Sequence, residues 1–407
     1  MSRRVVIVGG GIVGSAIAAG LSTHEGAEVT VLDRGAGHEL LGSTGHAPGF
    51  VAMLSESTAL TALAIASAQL YEELGPGRAG FDRMGGLEVA RTERSLRNLE
   101  RRARLAAERG VKALVVGPDE AAEAAPVFVD RETCLGGVLY PEDGAARADI
   151  LTSALRDQAA RSGARFCFGA GVSAIDTRGD RVMGVRISTG ARFDADDVVI
   201  AGGIWGPQIA GLVGEKLPLT PVAHPYVYGP RRASPPPKRL PIVRWREETA
   251  YARDHGDRYG IGTHDHTALA VNAASISHAE QPWQEAVFGP AIDAALRLMP
   301  REHRFAIDQR LNGVFAMPAD NLPYLGPSAG IAGLWIAVSI WVTHAGGAAG
   351  VLVDMMAGRT PSVQGLETLR PERFAGQNDE ELTARALKKY REIWMPMSPP
   401  QVAQTKA

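Results

Sequence analysis

The chain has 407 residues, with 43 Lys and Arg against 45 Asp and Glu for a net charge of -2, and 45% of its residues are hydrophobic. This exceeds the length at which one core keeps growing, so two domains are expected, and the balanced charge supplies neither the basic field of a nucleic-acid binder nor the polybasic run of a membrane-surface protein. Two cysteines, Cys134 and Cys167, make no disulfide framework and stand in no metal-ligand spacing, so no metal site is expected.

Only Met1 to Arg4 precede the first element, which leaves no room for a signal peptide and leads to the expectation of a cytoplasmic protein. Arg4 to Gly14 reads RVVIVGGGIVG, and Val29 to Asp33 follows as a second strand ending in an acid. A strand, a glycine turn and a helix start, with an acid about 20 residues on, binds a dinucleotide. Gly9 allows the sharp turn, Gly11 removes a side chain that would block a pyrophosphate, and Gly14 lets the helix pack closely; the helix N-terminus then offers unpaired N–H groups to phosphate. Asp33 is placed to accept hydrogen bonds from a ribose diol. The module therefore holds NAD or FAD.

Helical periodicity predicts helices over Gly11 to Ser22, Thr58 to Leu74, Glu93 to Arg109 and Ile150 to Ser162, the last stopped by Gly163. Ala164 to Asp197 reads as strand pairs turning at Arg178 to Asp180 and at Thr189-Gly190, with Val182 to Ile187 alternating. Val198 to Gly203 repeats the strand-into-glycine theme, so the nucleotide domain is assembled from distant pieces. His224 to Ile276, richer in Tyr, Trp and His and interrupted by the loop Ala233 to Lys238, predicts an antiparallel sheet domain. Leu311 to Ile340 returns to strands broken by Pro318, Pro323 and Gly326. Leu334 to Gly358 is apolar, yet its Thr343, His344, Asp354 and glycines favour a strand, a glycine turn and a helix over a membrane span. After Arg370 the chain turns charged, with a helix predicted from Asp379 to Trp394 and a loose polar end.

Three further segments, Gly42 to Gly49 (GSTGHAPG), Ala201 to Trp205 (AGGIW) and Trp341 to His344 (WVTH) before Gly346-Gly347, resemble those of the D-amino-acid-oxidase-like flavoproteins. Within that group the chain is similar to the flavin half of the dimethylglycine oxidases and dehydrogenases, relatives of the sarcosine oxidases, through Gly85 to Val89, His255 to Gly262 and Asn312 to Phe315. The resemblance implies an α/β fold: a Rossmann-type FAD-binding domain from discontinuous segments 1–80, 145–220 and 310–365, an antiparallel-sheet substrate domain from 81–144 and 221–309, and a C-terminal helical tail over 366–407. It implies FAD joined covalently to His46, with Ser43, Thr44 and Phe50 flanking the isoalloxazine and pyrophosphate. Ile12 and Val13 would lie at the phosphates, Asp33 and Arg34 at the ribose, and Val172 at the adenine. Gly202 and Trp205 belong to the second glycine turn, and Trp341, Val342, Thr343 and His344 would lie along the flavin. His224 and Tyr259 match the pair at the substrate.

Two departures stand out. The chain stops shortly after Trp394, where dimethylglycine oxidase continues into a folate-binding half, so formaldehyde is released or a separate folate-binding partner takes it. Pro318-Ala319-Asp320 replaces the usual Thr-Pro-Asp, and no cysteine between Leu311 and Asp320 could carry the flavin, as one does in monomeric sarcosine oxidase.

The implied chemistry is oxidative N-demethylation of a small N-methyl amino acid, of dimethylglycine or sarcosine type. Hydride passes to flavin N5, the iminium is hydrolysed to formaldehyde, and oxygen or an electron-transfer flavoprotein is the acceptor. A protonated amine cannot release hydride, so the site must favour the free amine, with neutral His224 and the Tyr259 hydroxyl accepting the proton or orienting the lone pair. From spacing alone, His224 between Val222-Ala223 and Pro225-Tyr226 reads more readily as a packing residue, Tyr259 as a core aromatic and His46 as a turn residue. His264 and His266 could share a strand face, but without a third ligand a solvated strand end is the better reading. His344 could only pack, and Arg244, Arg253 and Arg258 read as surface charges, one of which could pair with a substrate carboxylate. The alternatives are deamination of a D-amino or imino acid, and a role as the flavin subunit of a complex with a folate-binding partner.

Overall fold

The computed structural model describes residues 2–24, 26–37, 39–74, 80–234 and 239–395. At its centre Arg3–Val8 pairs in parallel with Ala27–Leu32 on one side and Asp197–Ile200 on the other. The sheet has six strands in the order Tyr324–Pro327, Leu334–Val338, Asp197–Ile200, Arg3–Val8, Ala27–Leu32, Arg165–Cys167, and only Tyr324–Pro327 runs antiparallel. Both of its faces are covered, which is why Val5 to Val8 and Val198 to Ile200 are unbroken apolar runs rather than alternating ones. Helices Ile12–Ser22, Ala148–Arg161 and Ala345–Met356 pack together on one face. Helix Thr58–Glu73 crosses Ala345–Met356 so closely that a Cβ on Gly347 would overlap the Leu63 backbone, which accounts for the glycine pair at that helix start. The strand pairs expected between 164 and 197 form a separate three-stranded sheet, Val172–Arg178, Arg181–Ile187 and Arg192–Asp194.

The second layer is an eight-stranded sheet ordered Gln309–Met317, Thr220–Tyr228, Tyr259–Thr263, Ala250–Asp254, Ile242–Trp245, Gly86–Ala90, Gly136–Tyr140, Leu114–Val116. It is antiparallel except where Ile242–Trp245 meets Gly86–Ala90. One face buries Val227, Val243, Trp245 and Ile261 against Phe128, Ile292 and Met299, from around helices Pro118–Ala124 and Glu285–Leu296. Phe50–Val51, Gly144–Ala146 and Phe81–Asp82 form a small third sheet.

One expectation changes. Gln309–Met317, placed at the start of the last flavin segment, is instead an edge strand of the eight-stranded sheet. The tail helix forms over Asp379–Arg391, packs on Thr220–Tyr228 and Gln309–Met317, and buries Leu382, Ala386 and Tyr390. Pro235 to Lys238 of the expected loop, and 396–407, lie outside the described residues. Leu334 to Gly358 resolves into strand Leu334–Val338 and helix Ala345–Met356, and no helix among the described residues is long and apolar enough to cross a membrane.

Candidate active site

A cavity of about 710 Å³ connects the first glycine turn to the inner face of the eight-stranded sheet. At one end, helix Ile12–Ser22 has no side-chain cap, so its first-turn amides are open; the Ile12 N–H has only a long 3.4 Å contact to Thr44 Oγ1. Gly9, at φ +111°, is packed so tightly on the second turn that a Cβ would overlap the Ala201 carbonyl, and a Cβ on Gly11 would stand 3.1 Å from Thr44 Oγ1. Asp33 accepts from the Gly10 N–H at 2.6 Å and the Gly35 N–H at 2.7 Å. Two of its lone-pair positions remain for a ribose diol. Arg34 stacks over Trp205 at 3.7 Å, and both line the cavity together with Val172 and Gly202. These features fit a dinucleotide. Gly14 does not line the cavity; it lies inside the helix, where a Cβ would overlap the Gly9 carbonyl.

The remaining expected cofactor residues, Ser43, Thr44, His46, Phe50, Trp341, Val342, Thr343 and His344, line the middle of the same cavity. The one-turn helix Ser43–His46 docks on strand Gln309–Met317: Ser43 Oγ donates to the Val314 carbonyl at 2.7 Å, and the Val314 N–H donates to His46 Nε2 at 3.3 Å. The His46 ring takes the space of the side chain Gly313 lacks, since a Cβ there would meet His46 Cδ2 at 2.6 Å. Burial holds the His46 pKa down at about 4, so its ring is neutral. On the facing strand, Gly313 lies opposite His224, so the two histidines converge on one glycine. Thr343 Oγ1 donates to the Phe50 carbonyl at 2.6 Å, tying the two flanking segments together.

His224 is 3% exposed and sits between two phenols: Nε2 lies 2.7 Å from the Tyr251 hydroxyl and Nδ1 2.6 Å from the Tyr390 hydroxyl. Burial, followed by the neighbouring imidazoles His264, His266 and His46, pushes its pKa well below the ordinary value. The structure does not bring Tyr259 to this site. Strand residues alternate faces; Tyr259 shares the outer face with Ile261, packs edge-on against Phe128 at 5.3 Å, and lies under Arg232. Its neighbours Gly260 and Gly262 face inward, and a Cβ on Gly262 would meet Tyr226 and Tyr251 at 2.7 Å. The phenol paired with His224 is thus Tyr251, made possible by glycines on the neighbouring strand. Alternating glycines beside a Tyr-rich strand are a sequence signal for such a groove.

Other expectations are corrected as well. His264 and His266, read as a solvated strand end, are buried at 2% and 6% exposure; His264 lines the cavity, where burial holds its pKa near 3. Arg244 and Arg253 are buried: Arg244 donates to Asp143 at 3.1 Å and lines the cavity, and Arg253 donates to the Ala146 carbonyl at 2.9 Å. Arg258 is half-buried over Tyr228. Beneath the cavity, Glu88 accepts from Arg102 at 2.7 Å and from Arg246 at 3.2 Å, and these guanidiniums hold its carboxyl far below the usual range. Asp143 is pushed up to about 6 by burial, against the pull of Arg244. Sequence reasoning missed Arg246, Tyr251, Lys389, Tyr390 and Trp394, all at this end of the molecule. Lys389 lines the cavity and has no ion-pair partner within 4.0 Å among the described residues. No cluster of three or more metal-ligating side chains occurs among the described residues.

Comparison with known proteins agrees with this geometry. The family described as DAO, FAD dependent oxidoreductase, matches residues 4–355. Mitochondrial dimethylglycine dehydrogenase of Rattus norvegicus is 26% identical over 403 residues, covering 95% of this chain and 46% of that protein. The formaldehyde-forming 4-methylaminobutanoate oxidase of Paenarthrobacter nicotinovorans is 26% identical over 389 residues, 92% of this chain and 46% of that one. The chain thus spans about half the length of the curated relatives it matches. Among solved structures, L-proline dehydrogenase from P. horikoshii superposes with a TM-score of 0.81 at 20% identity, covering 92% of this chain and 98% of that one, and shares its fold. With its glycine cradle and a family match over most of its length, the chain belongs to the DAO family of FAD-dependent oxidoreductases.

Proposed function

We propose that this oxidoreductase removes a methyl group, as formaldehyde, from a small N-methyl amino acid of dimethylglycine or sarcosine type. The observation that carries the reading is the buried, neutral His224 with Tyr251, set at the far end of the cavity from the dinucleotide cradle and flanked by cationic Arg244, Arg246 and Lys389. FAD, when bound, supplies the hydride acceptor. The chain's own task is to hold the amine with its lone pair free. A cavity end lined by Tyr251, His264, Phe315 and Trp394 disfavours an ammonium, and the His224 and Tyr251 pair takes its proton. The substrate carboxylate is met by Arg244, Arg246 or Lys389, a charge match that desolvation strengthens. Water then hydrolyses the methylene iminium.

FAD is held covalently through His46 in this reading; its buried, neutral imidazole at Gly313 supports the assignment. Oxygen or an electron-transfer flavoprotein reoxidises the cofactor. The one-carbon product leaves as formaldehyde, unless a separate folate-binding subunit collects it, which copurification would reveal.

The test is anaerobic mixing of the purified holoprotein with dimethylglycine, sarcosine, N-methylproline, a longer methylaminoalkanoate and a D-amino acid. Rapid bleaching by an N-methyl compound is expected; bleaching by the D-amino acid alone would transfer the claim to deamination. Denatured His46→Ala protein should release its flavin. Colour retained on that chain would remove the His46 attachment.

A further inference from the structure

The hydrogen bonds around His224 have a direction, which begins at a backbone carbonyl. His266 Nδ1 lies 2.8 Å from the Thr267 carbonyl oxygen, which has no proton to give, so Nδ1 must carry one. Burial keeps the His266 ring neutral at neutral pH, so its Nε2 has a lone pair. The Tyr390 hydroxyl, 2.8 Å away, donates to it. That hydroxyl has then spent its only proton, and its oxygen can only accept from His224 Nδ1 at 2.6 Å. His224 is therefore protonated on Nδ1, and its Nε2 accepts from Tyr251 at 2.7 Å. One carbonyl fixes two imidazole tautomers and two hydroxyl orientations, leaving the lone pairs of the Tyr251 oxygen as the free end at the cavity.

We propose that Tyr251, His224, Tyr390 and His266 form a proton relay that carries the amine's proton out of the cavity, with Tyr390 and His266 as positioning residues that set the tautomer of His224. This deepens the N-methyl amine reading and rests on it. The bookkeeping of atoms closes. The ammonium gives a proton to the Tyr251 oxygen as the Tyr251 proton moves to His224 Nε2. The His224 Nδ1 proton moves to the Tyr390 oxygen, and the Tyr390 proton moves to His266 Nε2. Each phenol ends with one proton, His224 ends as its other neutral tautomer, and His266 ends as an imidazolium still donating to Thr267. The amine keeps its electron pair, and no group is oxidised or reduced.

Burial opposes charge on both imidazoles, more strongly on His224 than on His266, so the outer ring takes the proton at less cost. His224 faces three imidazoles from two segments, His46 from one and His264 and His266 from the other, together with Tyr251, Tyr390 and Phe315, and none of these is an anion. His266 faces Tyr390, the apolar Phe288 of helix Glu285–Leu296, the Thr267 carbonyl, the adjoining Asp265 that favours its cation, and Arg391 of the tail helix that opposes it. Tyr390 lies outside the 4–355 segment that matches the family, so the link between the two imidazoles is supplied by the tail helix.

The experiment is anaerobic rapid mixing of holoenzyme with saturating dimethylglycine across pH, for wild type, Tyr390→Phe and His266→Gln. With the relay cut, reduction at neutral pH should slow by roughly tenfold to a hundredfold and recover at higher pH, where the amine arrives unprotonated. The apparent pKa of reduction should rise by about one unit. Loss of packing alone would lower the rate without moving the profile. Profiles of both variants that superimpose on wild type in shape would overturn the relay while leaving the demethylase reading intact. Wild type that no N-methyl amine reduces would overturn both.

Discussion

Gly313 shows how one missing side chain organises the chemistry. It sits opposite His224 in the strand pair and beneath the His46 ring, so Gly313→Ala drives a methyl toward His46 Cδ2 at 2.6 Å. The expected result is loss of flavin attachment with the fold retained, read as absence of flavin fluorescence on the denatured chain; an unchanged fluorescent band would show that the ring has another place to go. His224→Asn should slow flavin reduction by about 10² to 10⁴, with a much smaller change in substrate dissociation constant, because it removes the neutral proton acceptor and leaves the cationic groups in place. Comparable losses in both would make His224 a binding residue. His224 was assigned a role through resemblance alone, and His46 through resemblance together with its place in the loop after the ribose-binding strand. In both cases the local sequence is that of a packing or turn residue, and only the convergence on Gly313 distinguishes them.

At the scale of single elements, the strand–turn–helix at the N-terminus was fully legible, because every determinant lies within one short stretch: apolar run, glycines, helix start, then Asp33. The strand Tyr259–Thr263 was legible as a strand, yet which of its faces meets the cavity depends on register with its neighbours; the resemblance placed Tyr259 in the site, whereas its parity puts it outside. Tyr251, Tyr390 and Trp394 could not be found by spacing, since they come from a strand and from the tail, more than a hundred residues apart. Strand Gly86–Ala90 makes a different point: its Glu88 is fully buried and is held by Arg102, Arg246 and Tyr140. Glu88→Gln leaves buried guanidiniums without their anion and should cost about 3–5 kcal/mol in urea unfolding of the holoprotein. A cost below about 1 kcal/mol would mean that Glu56 and Asp143 compensate.

For the whole molecule, the two layers meet at a cavity lined with imidazoles that burial keeps neutral, and this couples the site to acid stability. His264 is held near 3 and His344 near 4, both from 6.5, with His224 also well below it. In the unfolded chain these groups take up protons below about 6.5, while in the folded chain they do not, so unfolding is favoured as pH falls. Asp143, raised to about 6, works in the opposite sense but is a single group. The melting temperature should therefore fall steadily from about pH 6.5 to about pH 4, with each histidine contributing up to about 1.4 kcal/mol per pH unit. A flat profile over that window would mean that these rings are hydrated in solution. The central claim, removal of a methyl group at His224, is tested most directly by one anaerobic turnover with dimethylglycine, counting products against flavin reduced. The account predicts one formaldehyde and one sarcosine for each flavin bleached; dimethylamine with glyoxylate, or no bleaching by any N-methyl amino acid, would contradict it.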